Sequence, residues 1–360
     1  MPSQAAREGN SPQLTDSDRA HLRRVALAAS SQGRAAASRE AGRWITLTAR
    51  WEKWHLGRMR KRTELPRTLS LDGFTVADAR REGVTAKRLH ATDLEAPFHG
   101  VRVAAGGSAG VWELTRAYSS IMPTAHFFSH VTAALLLGMP LPRHARRDLP
   151  LHVSVVAPER APQGNGVAGH TVTGRPELWR VRGLTVQNPV STWCELAPLV
   201  GLDDLIALGD HLLGVMDPPY TRDDLARAVE ARAGHRGIRR LREALEWVRP
   251  RVESRQETRL RLLIVRAGLP EPETNVYLPL RHQRRRVRGD LVYLRYRTLV
   301  EYDGGQHRTD DAQFARDVDR LDGVMAEDWR VIRVLKETPD AEVLARLEQA
   351  LRSRGWRPGD

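Results

Sequence analysis

The chain of 360 residues contains a single cysteine, Cys194, and very few lysines. One cysteine excludes an internal disulfide and any zinc site built from several cysteines, so we expect a cytoplasmic protein. The most apolar run, residues 133–142, is shorter than the roughly 20 residues that a membrane span needs, and proline interrupts it. The first residues are polar, with no apolar stretch typical of a signal peptide. We therefore expect neither a membrane partner nor export.

Nearly all of the positive charge is arginine, and the formal net charge is +13. Guanidinium groups suit planar recognition of phosphate, so the charge favours an anionic partner, most commonly a nucleic acid. The composition also fits a chain from an arginine-rich proteome without any nucleic-acid role. The charge alone is therefore weak support for DNA binding.

Changes in composition divide the chain into four segments. Residues 1–58 are rich in Ala, Arg, Ser and Gln and are predicted to be a flexible arm or an over-extension of the reading frame. We assign residues 59–108 to a winged helix-turn-helix, 109–250 to a central mixed α/β region and 251–360 to a mixed sheet flanked by helices. The predicted fold class is α/β, in an α+β multidomain arrangement.

The winged-helix prediction depends on residues 74–89, where a short helix, a glycine and a Thr-capped second helix precede a possible strand pair at 98–103. The second helix of such a unit lies in the major groove, with Thr85, Lys87 and Arg88 towards phosphates or base edges. A helical hairpin with a solvated basic face is the alternative.

In the central region, the pattern predicts a strand over 151–156, another over 183–189 and helices near 190–199, 203–213 and 222–232. An amphipathic helix over 125–135 is also predicted, which places His126 and His130 one turn apart. They could share a ligand there. With no acidic or cysteine partner near in sequence, capping or core hydrogen bonding is the favoured interpretation.

The last hundred residues predict the order α-β-β-β-α-β-α. The predicted spans are 254–267, 276–280, 287–294, 298–302, 312–325, 329–335 and 340–354. Asp290 lies in the second strand among apolar neighbours, where an unpaired carboxylate is costly. On the third strand, period-two geometry places Glu301 and Asp303 on one face. If the strands are neighbours, the three carboxylates converge, and oxygen ligands select Mg²⁺ or Mn²⁺.

Two glycines follow Asp303 and allow a turn that returns Gln306 and His307 to the acids, as candidates for orienting a water and for acid–base catalysis. Arginines flank the cluster, as binding of a phosphodiester backbone requires. They include Arg284, Arg285, Arg286, Arg288, Arg316 and Arg320. Purely structural interpretations compete with these roles, because Asp303 before glycines is typical of a turn and Ser254 with Glu257 fits a capping box.

The pattern Asp290, Glu301-x-Asp303-Gly304-x-Gln306-His307 resembles the very-short-patch-repair-like endonuclease domains of the PD-(D/E)XK nuclease superfamily. Ser254-x-x-Glu257-x-Arg259 resembles the first-helix acid of that domain. The upstream part is similar to AbiEi-type antitoxins of type IV toxin–antitoxin systems. That similarity rests on residues 74–89, Ser129-His130-x-Thr132-Ala133-Ala134 and residues 188–192.

This resemblance implies a C-terminal restriction-endonuclease-like sheet in which Asp290 and Glu301 bind the metal and Glu257 supports them. The superfamily usually has a lysine two residues after the strand acid, where this chain has Asp303. The leading hypothesis is a metal-dependent DNA endonuclease in repair or phage defence. A DNA-binding regulator of the antitoxin kind, with a possible partner toxin and a non-catalytic nuclease fold, is the alternative. A third is a non-catalytic nucleic-acid interaction protein.

Overall fold

The described strands form three sheets that follow one another along the chain. The computed structural model describes residues 63–69, 73–105, 110–214, 218–280, 286–303 and 320–359. The predicted arm at 1–58 lies outside these residues. The mixed α/β class predicted from the sequence is confirmed.

The first sheet has three strands in the order β1-β3-β2, with both pairings antiparallel. It comprises β1 (Phe74–Thr75), β2 (Leu94–Glu95) and β3 (Val101–Ala104), and the helices α1 (Val76–Arg81) and α2 (Ala86–Leu89) lie between β1 and β2 in sequence. Thr75 and Thr85 cap the two helices, because each side-chain oxygen accepts a hydrogen bond from a backbone N–H three residues later. Phe74, Ala79 and Leu89 form a small core below them.

The second sheet has five strands in the order β6-β5-β4-β8-β7. Its strands are β4 (Phe127–Phe128), β5 (Leu151–Val156), β6 (Val167–Val172), β7 (Leu178–Val181) and β8 (Leu184–Gln187). The β5–β6 and β4–β8 pairs are parallel, and the other two pairs are antiparallel. The predicted strand over 151–156 is confirmed.

Six helices accompany these strands, and five of them, all but the first, form the largest apolar core of the described residues. They are α3 (Val111–Ser119), α4 (His130–Leu136), α5 (Pro189–Leu196), α6 (Leu202–Leu212), α7 (Arg222–Ala231) and α8 (Ile238–Trp247). Trp193 is fully buried at the centre, and its Nε1 donates to the Leu205 carbonyl at 2.9 Å. This bond connects α5 to α6 inside the apolar core.

The predicted helix over 125–135 is wrong in its first half. Phe127 and Phe128 form β4, and α4 begins only at His130. Both phenylalanines are buried and pair with β5, so the sheet overrides the helical pattern of the segment. His126 and His130 consequently do not share a helix.

The third sheet has the order β12-β11-β10-β9. Its elements are α9 (Arg255–Arg266), β9 (Glu273–Tyr277), β10 (Arg288–Tyr293), β11 (Thr298–Asp303), a helical segment described over 320–326, β12 (Arg330–Leu335) and α10 (Asp340–Ser353). β10 is antiparallel to both neighbours, whereas β11 and β12 are parallel. The predicted element order of this region is therefore confirmed.

The C-terminal sheet is joined to the central helices through α9. Leu65–Asp360 forms one compact unit, and α9 packs along α6. Three ion pairs connect the two helices, namely Arg255–Asp204, Arg261–Asp210 and Arg266–Asp203. Across the described part of the chain, no helix combines the length and apolar character required to cross a membrane.

Candidate active site

Asp290 and Glu301 lie side by side on neighbouring strands of the third sheet. The register pairs Leu291 with Val300, and one further step along both strands brings Asp290 opposite Glu301. Opposite residues of an antiparallel pair project to the same face, with Cβ atoms roughly 5 Å apart. The Tyr302 backbone N–H donates to Asp290 Oδ2 at 2.9 Å, which holds that carboxylate against β11. The structure thus brings together the two acids expected to meet.

Glu257 approaches the pair from the first turn of α9. Ser254 Oγ accepts a hydrogen bond from the Glu257 backbone N–H at 3.1 Å, as the capping interpretation expects. The carboxylate itself is buried and accepts from Asn275 Nδ2 at 2.6 Å and from the Glu253 backbone N–H at 3.0 Å. These two contacts at Oε2 fix the orientation of the Glu257 carboxylate. Glu257 can therefore take part in the helix cap with Ser254 and still lie near Asp290 and Glu301.

The pKa values of Asp290 and Glu257 are both raised above their ordinary values. Burial raises the pKa of Asp290 to about 7, and the negative charges of Glu301 and Glu257 contribute to the shift. Burial also raises the pKa of Glu257, with Glu301 adding to the effect. Like charges in one partly desolvated place favour either a retained proton or a bound cation. The carboxylate-only set fits a hard divalent ion such as Mg²⁺.

Two arginines neutralise the acids of β11. Arg320, on the helical segment 320–326, contacts both carboxylate oxygens of Glu301, at 2.8 and 3.4 Å. Arg333 of β12 forms an ion pair with Asp303 at 2.7 Å. Within the described ranges, these acids are not among the groups of three whose ligand atoms all lie within 4.8 Å of one another. Convergence of Asp303 with Asp290 and Glu301 therefore stays a prediction. Binding of an ion at Glu301 would have to compete with the Arg320 ion pair.

The predicted basic rim is described only in part. Arg286 is exposed and lies over the Tyr277 ring, with 5.6 Å between the guanidinium carbon and the ring centroid. Arg288 pairs with Glu253. Arg284, Arg285, Arg316, Gln306 and His307 lie outside the described residues.

Sequence reasoning missed Asn275 and Arg333 as partners of the acids. Asn275 is 4% exposed and has a positive φ of 47°, a conformation that asparagine tolerates better than most residues. Arg333 stands opposite Glu301 in the parallel register of β11 and β12. Neither partnership follows from spacing along the chain, because each joins separate strands or helices.

At helix α2, the three predicted DNA contacts differ in their surroundings. Thr85 Oγ1 caps α2, and Arg88 donates to both carboxylate oxygens of Asp93, at 2.9 and 2.8 Å. The Arg88 side chain is only 10% exposed. Lys87 is exposed, so it is the member of the set best placed for an external phosphate.

Comparisons with known proteins give two distant relatives and no activity. No protein-family model matches the chain, and no solved structure matches it significantly. Two curated proteins of Mycobacterium tuberculosis, uncharacterized protein MT2308 of strain CDC 1551 / Oshkosh and uncharacterized protein Rv2248 of strain ATCC 25618 / H37Rv, are each 28% identical over 159 residues. The match covers 44% of this chain and 57% of each relative. The chain thus spans little more than half the length of these relatives.

Proposed function

We propose that the C-terminal unit hydrolyses phosphodiester bonds in DNA, using a divalent cation held by Asp290 and Glu301. The observation that carries this proposal is the pair of acids on adjacent central strands, with Glu257 beside them. Burial together with the other two acids raises the pKa of Asp290 to about 7. Such a cluster is costly unless a cation or proton compensates it, and strongly perturbed carboxyl groups concentrate at functional sites.

The order of elements supports the same proposal. The strand order β12-β11-β10-β9 with β10 antiparallel to its neighbours is what a restriction-endonuclease-like sheet would have, as the resemblance to very-short-patch-repair endonucleases implies. The two acids stand on the two central strands of that sheet, near the end of β11. Fold likeness alone does not establish chemistry, so the acids carry the argument.

Each residue of the cluster has a distinct task under this proposal. Asp290 and Glu301 bind the ion, while Asn275 and the Glu253 backbone hold the supporting Glu257 in place. A bound Mg²⁺ supplies polarisation of a phosphoryl oxygen and a more acidic water. Arg320 pairs with Glu301 and would compete with the ion for this carboxylate.

A DNA-binding regulator is the second candidate, and the first sheet favours it. Its elements follow the order β1-α1-α2-β2-β3 with strand order β1-β3-β2, which suits a winged helix with Lys87 exposed on the second helix. In this candidate the C-terminal acids serve only the fold. A partner toxin belongs to this candidate as well.

Nicking of supercoiled plasmid by the purified chain tests the two candidates. We expect nicking with Mg²⁺ or Mn²⁺ and none with EDTA, and at least about a 100-fold slower rate for Asp290→Asn and for Glu301→Gln. Asp328→Asn is the matched control, because Asp328 is an exposed acid paired with Arg354. Salt-dependent DNA binding should survive in all variants. If wild type is inert with every metal yet footprints its own promoter, the regulator is the correct assignment.

A further inference from the structure

Three histidines from three different elements meet beside the central sheet, far along the chain from the acid cluster. His130 is the first residue of α4, His152 lies on β5 and His170 lies on β6. One ligand atom of each lies within 4.8 Å of the corresponding atoms of the other two, and all three residues are half-buried. They form the one such group of His, Cys, Asp or Glu found within the described ranges.

The parallel pairing of β5 and β6 creates this meeting. Ser154 lies opposite His170, so His152 and His170 are diagonal neighbours on the same face. His152 Nδ1 lies 3.0 Å from His170 Nε2. Two nitrogen ligands on a tetrahedral zinc ion, with Zn–N bonds of about 2.1 Å, are about 3.4 Å apart. The observed separation is close to that value, so a modest ring adjustment would admit an ion.

His130 completes the group and stacks on His170, with 3.8 Å between the ring centroids. Because nitrogen lone pairs lie in the ring plane, a stacked ring must turn about its side-chain torsions to reach a shared ion. Burial lowers the pKa of His152 and of His170 to about 4, so both rings are neutral at neutral pH. Neutral imidazole is the form that binds metals.

Glu195 holds His130 from the neighbouring helix α5. Its side chain on α5 is 3% exposed, and Oε1 accepts from Gln187 Nε2 at 3.0 Å. Oε2 lies 3.0 Å from His130 Nδ1 but lacks an aligned hydrogen-bond donor. Burial raises the pKa of Glu195, but His130, Gln187 and Arg232, whose Nη1 lies 3.8 Å from Oε1, outweigh that effect and lower it. When the His130 Nε2 atom binds a metal, Nδ1 must carry the proton, which supplies a donor next to Oε2.

A serine hydrolase arrangement does not fit the same residues. Ser129 Oγ and Glu195 Oε2 both contact Nδ1 of His130, at 3.0 Å each. A catalytic triad places the serine and the acid on opposite ring nitrogens. Ser129 is also fully buried and accepts a hydrogen bond from Ser154 Oγ at 2.7 Å. The serine therefore belongs to the packing that positions His130.

We propose that His130, His152 and His170 bind one divalent transition-metal ion of the zinc class, with Glu195 as the positioning residue for His130. Three imidazoles select a borderline ion such as Zn²⁺ rather than Mg²⁺. The ion connects the edge strand β6 to β5 and to the start of α4, and Glu195 connects it to α5. This site is independent of the acid cluster in its residues and in its metal preference.

Zinc titration of the metal-free full-length chain tests the site by isothermal calorimetry. We expect wild type to bind Zn²⁺ at a site that Mg²⁺ does not occupy, and Co²⁺ in its place to give visible absorption bands typical of tetrahedral coordination. His152→Ala and His170→Ala should each remove this binding event. His235→Ala is the matched control, because His235 is exposed and distant in sequence from the three ligands.

Glu195→Gln separates positioning from ligation. Loss of a carboxylate behind a metal-binding histidine typically weakens the metal by 10–100-fold, so we expect a shift of that size with the same number of ions bound. Circular dichroism of the metal-free variants checks their folding, and His170→Gln replaces any variant that does not fold. The proposal is overturned if wild type binds no Zn²⁺ at 100-fold molar excess, or if His170→Ala and His170→Gln bind it as wild type does.

Discussion

Arg261 and Asp210 form a fully buried ion pair, with 2.9 Å between Nη2 and Oδ2 and side chains that are 0% and 1% exposed. Arg261 lies on α9 and Asp210 on α6, so the pair joins the C-terminal sheet to the central helices. Thr258 Oγ1 and the Arg249 backbone N–H also donate to Asp210. The carboxylate is thus surrounded by donors, as a buried charge requires.

Asp210→Asn should lower the free energy of unfolding by about 3 kcal/mol, because it leaves the Arg261 charge buried without a counter-charge. Asp203→Asn is the matched control, since the exposed Arg266–Asp203 pair joins the same two helices and should contribute less than about 1 kcal/mol. Urea unfolding followed by circular dichroism measures both. Equal effects of the two variants would mean that burial of the first pair has no energetic consequence.

A single unfolding transition is expected for wild type, because α9 packs along α6 and also contributes Leu260 and Ile264 to the core of the third sheet. The predicted boundary near residue 250 follows a change of sequence pattern. The packing is continuous across it, since Arg255, Arg261 and Arg266 all reach acids of α6. A sequence gives no direct sign of such long-range pairs, because the partners are 51 to 63 residues apart.

Asp290→Asn should stabilise the protein at high pH and not at low pH. The pKa of Asp290 is raised to about 7 in the folded chain, above its ordinary value of 3.8. Its contribution to stability is therefore fully present below about pH 4 and is lost as the pH rises through 7. The amide variant avoids this loss, so we expect about 4 kcal/mol more stability than wild type at pH 8 and no gain at pH 4.

Thermal melting across pH 4 to pH 8 measures this difference. Asp328→Asn serves as the control with the opposite sign, because Arg354 holds the pKa of Asp328 below its usual value. Adding Mg²⁺ at pH 8 should raise the melting temperature of wild type more than that of Asp290→Asn, since the ion compensates the same ionised carboxylate. A pH-independent difference between wild type and Asp290→Asn would show that Asp290 does not titrate in this range.

Variants of α2 should separate folding from DNA contact. Thr85→Ala removes the helix cap and should cost about 1 kcal/mol of stability. Lys87→Ala removes an exposed charge and should leave stability unchanged while lowering the salt dependence of DNA binding by about one counterion. Melting curves and fluorescence anisotropy at several salt concentrations measure the two effects. If Lys87→Ala binds DNA with an unchanged salt slope, α2 does not contact the backbone.

The sequence predicted the C-terminal elements well and the histidine group not at all. Period-two alternation identified β10 and β11, and their closeness along the chain made antiparallel pairing of Asp290 with Glu301 a natural expectation. His152 and His170 meet through a parallel pairing of β5 with β6, two strands separated by a ten-residue connection. Alternation places His152 on one face of a strand, but it does not identify the neighbouring strand. The Arg333–Asp303 pair was not predicted for the same reason, because β11 and β12 are also parallel strands far apart in sequence.

Gly169→Ala should destabilise the protein and weaken zinc binding together, because Gly169 precedes His170 on β6 and touches the preceding loop. A Cβ at this position would lie 1.9 Å from the Pro162 carbonyl oxygen, so either the loop or the strand must move. We expect a loss of about 1–3 kcal/mol of stability, the range typical of overpacked sites. Gly174→Ala, just after β6, is the control for glycine substitution, since a Cβ there meets no atom within 4 Å, although its positive φ of 81° brings a backbone cost. Calorimetric zinc titration of both variants completes the test. If Gly169→Ala loses stability yet binds Zn²⁺ as wild type does, the position of β6 does not govern the histidine site.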